Sequence, residues 1–436
     1  MIIAVAGLWH LGSVTAACLA SAGNSVIGLD ESPELIADLT NGKPPVAEPG
    51  LADLIRKSVA EKRLTFAQDI NAISEADVCW ITYDTPVNDE DVADVDFVLN
   101  RVAKLFPVLR KNVLIVVSSQ VPVGSTSKLE EMYSKAITDG RAQFVYSPEN
   151  LRLGKAIEVF TKPDRVVVGT RTAEARARMT EILKPFTNNI EWMSVESAEM
   201  TKHALNAFLA CSVAFINEVA ALCERAGADA REVERGLKSD IRIGSRAYLK
   251  PGPAFAGGTL ARDVTFLSDL GKQTGSPTRL LSGIRESNLD HKDWLRRRLS
   301  DALGALQGKT LAVLGLTYKP RTDTLRRSSA VEVCRWLFTQ GVRVRAFDPA
   351  VRNLPSDLSP IIQLCPDART ALSGADAALI ATEWPEFTAL KAEDFTATMA
   401  APRVFDPSRF LETALANRDI SYFAIGKVGG SAGRAG

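Results

Sequence analysis

Strand-length apolar runs alternate with helical stretches in two separate parts of this 436-residue chain, and one long helical region lies between them. In the first part IIAVAGL, SVIGLD, ADVCWITY, NVLIVVSS, AQFVYS and DRVVVGT read as strands, with a helix from Leu11 to Ala22 after the first of them. Strands that are apolar throughout are buried on both faces, which calls for a parallel sheet covered by helices on each side. The pattern predicts a doubly wound domain ending near residue 190. From Ser194 to about Ala226 it changes to one uninterrupted helical stretch, apolar on more than one face. That suits a helix buried in a helical middle domain or at a subunit interface. A further long helix is expected from about Pro277 to Leu306. Alternation then resumes with KTLAVLGLTY, a helix near Ala330 to Gln340, and the strands VRVRAFDP, ADAALIAT, RVFD and YFAIG. The order is α/β, helical, α/β, with divisions expected at 1–190, 191–300 and 301–436.

Length alone calls for two or three domains. The hydrophobic fraction of 46% and charged fraction of 24% are those of a globular protein, with only the glycine-rich end KVGGSAGRAG suggesting disorder. Lys plus Arg and Asp plus Glu both number 52, so net charge gives no reason to expect nucleic acid or an anionic membrane as a partner. No apolar run reads as a membrane span, and MIIAVAGLWHLG lacks the basic start and cleavage site of a signal peptide. A cytoplasmic location is the expectation. The six cysteines form no C-x-x-C pair and only three histidines are present, so neither a metal site nor a disulfide framework is expected.

AVAGLWHLGSVTAACLASAGNSVIGLD combines a strand, a turn carrying Gly7 and Gly12, a helix, a second strand, and Asp30 at that strand's end. In this context glycines permit the turn, the helix start attracts a pyrophosphate, and the acid holds a ribose 2′-hydroxyl. Asp30 disfavours a 2′-phosphate, so the expected cofactor is NAD and not NADP. Trp9 stands where such turns carry their second glycine. His10 beside it is read as a packing or hydrogen-bonding residue of the cofactor turn, and Trp9, His10 and Leu11 are counted with Gly7, Gly12 and Asp30 as candidate cofactor contacts.

Later stretches, in order, resemble the UDP-glucose/GDP-mannose dehydrogenase family over essentially the whole chain. They are NGKPPVAEPGL (41–51), DTP (84–86), SSQVPVGST (118–126), YSPENLRLGKAI (146–157), PDRVVVG (163–169), EMTKHALNAFLACSVAFINEVAALC (199–223), DIRIG (240–244) and PGPAFAGGTLARD (251–263). GLTYKPRTDTLRRSS (315–329), FDP (347–349), ATEWPEF (381–387) and YFAIG (422–426) continue the series. The resemblance implies two doubly wound Rossmann-like domains joined by a central helical domain. The first would bind NAD, the helical one would form a homodimer, and the last would hold the nucleotide sugar. It also implies twofold oxidation of a sugar C6 alcohol through an active-site cysteine.

Carried over residue by residue, Glu149 matches the glutamate that handles the hydrolytic water. Lys202 and Asn206 match the lysine and asparagine around the reacting oxygen, and Asp263 the aspartate that orients water and the lysine. Lys202 and Asn206 are four residues apart and so share a helix face. Thr85, Pro86, Gln120, Arg262 and Arg326 correspond to cofactor contacts. Asn150, Leu151, Arg152, Tyr248, Lys250, Phe255, Gly257, Gly258, Lys319 and Arg409 correspond to contacts with the nucleotide sugar, and Arg242 to an arginine that reaches the neighbouring subunit's substrate.

The departures are concentrated. PGPAFAGGTLARD replaces a loop usually written GxGFGGSCFPKD, and Thr259 stands at the catalytic cysteine. A threonine hydroxyl needs a strong adjacent base to act as a nucleophile, whereas a thiol supplies some thiolate near neutral pH. Gln120, Asp84 and Trp9 replace a threonine and two glycines around the expected cofactor, while the acid–base positions are kept. Three outcomes stay open: oxidation that stops at a carbonyl, full oxidation through a hydrated aldehyde, or a redox-neutral epimerisation with retained NAD. A catalytically silent nucleotide-sugar-binding protein is the alternative from another class.

Overall fold

A computed structural model describes residues 1–88, 93–138, 141–149, 151–255, 259–326, 328–416 and 419–428. The chain divides into two compact units, Met1–Leu205 and Asn206–Gly436. In the first, β1 (Ile2–Ala6), β2 (Ser25–Leu29), β3 (Leu64–Ala67), β4 (Val78–Ile81), β5 (Leu114–Val117), β6 (Gln143–Tyr146), β7 (Val166–Thr170) and β8 (Ile190–Met193) form one sheet. Their order is β3-β2-β1-β4-β5-β6-β7-β8. Ile3 and Val5 enter one apolar cluster while Ala4 and Ala6 enter another, so successive residues of β1 feed cores on opposite faces. The order reverses between β1 and β4, which brings their carboxyl ends side by side and opens the crevice where doubly wound sheets bind ligands.

In the second unit β9 (Thr310–Leu314), β10 (Arg343–Phe347), β11 (Ile362–Leu364), β12 (Ala377–Ile380), β13 (Arg403–Phe405) and β14 (Ser421–Phe423) form a sheet in the order β11-β10-β9-β12-β13-β14. All of its pairings are parallel. The long helix Val195–Ala226 starts in the first unit and runs on into the second. Beyond the boundary its Ala207, Ala210 and Ala214 pack with Val264 and Ile284, from the helices Thr259–Thr274 and Arg279–Lys292. Small side chains on that face let the helices approach closely.

Both α/β patterns are present, with four differences from the sequence reading. β3, β8 and β11 are short edge strands without a continuous apolar run. β6 and β7 pair antiparallel, a direction that apolarity does not encode. The helix expected over 277–306 is two, Arg279–Lys292 and Trp294–Leu303, because Asp293 turns its N–H back to the carbonyl of Asp290 and closes the first. Finally, the long helix is long and apolar enough to cross a membrane by length and composition. It also carries buried Glu199, Lys202, His203, Asn206 and Asn217, each of which meets a protein group, as in a core helix.

Candidate functional site

The glycine turn is built by close approach. Gly7 has φ +93°, and a Cβ there would lie 2.8 Å from the backbone of Tyr83. A Cβ on Gly12 would come to 1.8 Å from the Gly7 carbonyl oxygen, so only glycine lets the helix His10–Ser21 start against the turn. Thr82 donates to the carbonyls of Ala6 (3.0 Å) and Gly7 (2.7 Å), tying the ends of β1 and β4 together. Asp30 accepts from Leu8 N at 2.8 Å and Ser32 N at 3.1 Å, holding the turn from the end of β2. Trp9 adopts φ −64°, where a side chain costs nothing, and is 41% exposed. Buried Gly7 and Gly12 thus let the turn close against Tyr83 and the helix start, while Asp30 stands at the end of β2 where an acid meets a ribose. These residues fit a dinucleotide.

His10 Nε2 lies 3.0 Å from Glu48 Oε2. That buried carboxylate also accepts from Gly154 N (2.9 Å) and Ala156 N (2.8 Å), fixing the segment after Leu151 and Arg152. His10 thus faces Glu48 within its own unit. Glu48 was missed, although an acid within the apolar PPVAEPGL was a signal. Thr85 donates to the carbonyl of Gln120 at 2.6 Å, and both are buried with Pro86 half-buried beside them.

At the first-unit end of the long helix, Lys202 is 6% exposed and donates to the Glu149 carbonyl at 2.5 Å. The Glu149 carboxylate accepts from Leu151 N at 2.6 Å; Leu151 is half-buried and Arg152 exposed. Glu199 accepts from Gly124 N (2.6 Å), Thr126 N (2.9 Å) and the Thr126 hydroxyl (2.7 Å), capping the helix Ser125–Ala136. Burial pushes its carboxyl up, against the pull of these donors. Asn150 lies outside the described residues.

In the second unit Asn206 donates to the carboxylate of Asp263, and Asp263 has no exposed surface. Thr259 is the first residue of the helix Thr259–Thr274, is exposed, and stands one turn before Asp263; Arg262 is half-buried. Gly257 and Gly258 lie outside the described residues. Three side chains hold the loop before them. Asn217 accepts from Gly252 N (3.1 Å), His291 Nε2 donates to the Gly252 carbonyl (2.9 Å), and Asn288 both accepts from Phe255 N and donates to Phe255 O, at 2.9 Å each. Burial lowers the His291 pKa, so the ring is a neutral donor near pH 7. None of these holders was read from the sequence; Asn217 within the apolar FINEVAAL was the one available signal.

The remaining candidates are spread over the second unit. Arg242 is exposed and grips Asp240 with two bonds, of 3.0 and 2.7 Å. Tyr248 is exposed, Phe255 is half-buried, and Lys250 lies 3.9 Å from Glu383. Lys319 is exposed over the Tyr318 ring, and Arg326 is exposed on a turn. Arg409 is buried, at φ +56°, and its Nη1 donates to both Asp229 oxygens at 2.7 and 2.9 Å. The glycine turn has a counterpart here. Gly315, at φ +94°, packs against Thr382 as Gly7 does against Tyr83. Asp348 Oδ2 accepts from Leu316 N (2.7 Å), Thr317 N (3.0 Å), the Thr317 hydroxyl (3.1 Å) and Trp384 Nε1 (3.1 Å), and its Oδ1 accepts from Ala350 N (2.9 Å).

Comparison with known proteins agrees with this geometry. Residues 1–187, 196–290 and 312–413 match, in turn, the NAD binding domain, the central domain and the UDP binding domain of the UDP-glucose/GDP-mannose dehydrogenase family. The UDP-glucose 6-dehydrogenase TuaD of Bacillus subtilis is 36% identical over 408 residues, spanning 93% of this chain and 88% of that protein. The UDP-glucose 6-dehydrogenase of Rhizobium meliloti is 34% identical over 436 residues, 98% of this chain and 100% of the relative. The structure of a UDP-glucose dehydrogenase from the archaeon Pyrobaculum islandicum matches with a TM-score of 0.89 at 29% identity, covering 98% of both chains.

Proposed function

Since the chain belongs to the UDP-glucose/GDP-mannose dehydrogenase family, we propose that it is an NAD-dependent oxidoreductase that oxidises the C6 alcohol of a UDP-sugar without a covalent enzyme intermediate. The observation that carries this reading is the buried Asn206–Asp263 pair, one turn into a helix that opens on Thr259 where the family has its cysteine. A buried carboxylate is costly unless hydrogen-bonded, so a pair kept at that depth beside a lost nucleophile argues for chemistry that does not need the thiol.

Bound NAD supplies the hydride acceptor. Gly7, Gly12 and Asp30 would hold it at the turn, with Trp9, His10, Leu11, Thr85, Pro86 and Gln120 as further contacts from the same unit. Asp263 fixes the Asn206 amide, and Asn206 and Lys202 present donors to the substrate oxygen as its charge develops. The hydroxyl proton passes to a water held by the Glu149 carboxylate as the hydride leaves, Lys202 being kept in place by its bond to the Glu149 carbonyl, and the same carboxylate orients water toward the carbonyl that results. Thr259 takes no covalent part. The three-part division at 1–190, 191–300 and 301–436 assigns NAD, dimer contact and nucleotide sugar in that order. Phe208, Phe215 and Leu222 are exposed at seven-residue intervals along the long helix. Covering that stripe with a second copy gives a cytoplasmic homodimer.

The test is incubation with NAD and a panel of UDP- and GDP-sugars, reading NADH absorbance and product mass. One NADH with loss of two hydrogens is a carbonyl product, and two NADH with an acid is full oxidation; either supports the reading. Isomerisation without net NADH points to the epimerase. Binding without turnover across the panel identifies the silent protein and sinks the proposal.

A further inference from the structure

At the end of β2 lies a cleft of about 260 Å³ whose wall includes Asp30, Glu31, Tyr83, Arg101 and Lys104. Arg101 and Lys104 come from one face of the helix Val95–Leu105. The Arg101 guanidinium is fixed from two sides: it lies 4.2 Å from the Phe97 ring centroid and 5.5 Å from that of Tyr83, and its Nη2 is 2.8 Å from Glu31 Oε2. Lys104 Nζ is 3.8 Å from the other Glu31 oxygen. Gln68 donates to the Glu31 carbonyl at 3.0 Å, which anchors that backbone from β3's side of the cleft. The strand end thus presents two acids and two cations with a combined charge of zero (−2 + 2).

Asp30 is the acid expected to accept from a ribose hydroxyl, and a single carboxylate already disfavours a 2′-phosphate. Yet two cations, one of them stacked and preorganised, stand on the same wall, and an arginine with a nearby lysine is the arrangement that binds phosphate. What separates the two outcomes is whether those cations are already engaged. Resting on the reading of the turn as an NAD site, we propose that Glu31 is a specificity-determining residue that holds Arg101 and Lys104 in ion pairs and so denies them to the 2′-phosphate of NADP. Glu31 does not touch the reacting atoms; it acts through the two cations.

Calorimetric titration of NAD and NADP into the wild type, Glu31→Gln and Glu31→Gln/Arg101→Met, at low and high salt, tests this. Glu31→Gln raises the charge of the group from zero to plus one. NADP affinity is expected to rise about tenfold at low salt, with NAD affinity changing less than about threefold. The gain shrinks at high salt, since the group is partly solvated, and disappears on adding Arg101→Met. A purely structural role would shift both cofactors together and would not respond to salt. NADP affinity unchanged in Glu31→Gln, or parallel shifts for both cofactors, overturns the proposal while leaving the cofactor reading intact. Wild-type protein that fails to bind NAD overturns both.

Discussion

Replacing Gly12 by Ala tests the glycine turn where it is tightest. The added Cβ would stand 1.8 Å from the Gly7 carbonyl oxygen and 2.8 Å from the Thr82 hydroxyl. A carbon–oxygen contact rests at about 3.3 Å, so about 1.5 Å of relief is needed. The carbonyl cannot retreat without losing the 2.7 Å bond from Thr82, and Gly7 N is tied to Leu29 O at 2.9 Å. The helix His10–Ser21 must move instead, taking Leu8 and its bond to Asp30 with it. Overpacking of this kind costs about 1–3 kcal/mol and a lost buried hydrogen bond about 1 more, for about 3 kcal/mol in all. Because a chain of two units need not unfold in one step, the readout is amide exchange in β1 and β4, with NAD affinity measured by calorimetry. Exchange should speed by about two orders of magnitude and NAD binding should fall below detection. Gly283→Ala is the control: nothing lies within 4 Å of its Cβ position in the helix Arg279–Lys292, and it should stabilise by about 0.5–1 kcal/mol. Normal exchange in β1 and β4 together with wild-type NAD affinity in Gly12→Ala refutes the argument.

Three further outcomes follow from the geometry. Thr259→Ala should leave the NADH formed per sugar unchanged and its rate within about threefold, measured by NADH absorbance and product mass, since a threonine hydroxyl without a strong adjacent base is no nucleophile; loss of a second NADH with the first intact would restore a covalent role to Thr259. His291, whose folded pKa lies below its usual 6.5 through burial, binds more protons unfolded than folded, so its contribution to stability is complete above pH 6.5 and declines as pH falls from there. Urea midpoints between pH 7.5 and 5.5 should therefore fall less steeply in His291→Gln; identical slopes would remove the assignment. Arg409→Ala should cost about 2 kcal/mol by leaving the half-exposed Asp229 without its paired donors, and Arg409→Lys should recover little because a lysine cannot make two parallel bonds. Equal urea midpoints for wild type and Arg409→Lys would contradict this.

The alternation of apolar runs made both sheets legible, because a strand buried on two faces has no polar positions to blur it. LTFA, IEWM and IQL carry polar residues within three or four positions, so β3, β8 and β11 left no comparable trace. In the candidate site, residues within one helical turn of each other, such as Lys202 and Asn206, were readable as a unit. Their supports were not. Asn288 reaches Phe255 across 33 positions, and nothing local in ESNLDHK distinguishes a polar group that will clamp a distant backbone from one that faces water; Glu48, which reaches Ala156 across 108, was marked only by its apolar neighbours.

The two glycine turns differ in how much of their acid is left over. Asp348 is almost wholly buried and meets five donors from its own chain, whereas Asp30 is half-buried and meets two. A ligand arriving at the second turn would find a carboxylate almost wholly buried and already engaged at both oxygens, so recognition on that domain falls to side chains at its surface. Side chains can be exchanged one at a time without disturbing a backbone turn. The domain with the buried, fully engaged turn acid is thus one where a change of nucleotide or sugar preference can evolve in single steps, through side chains that the turn itself does not need.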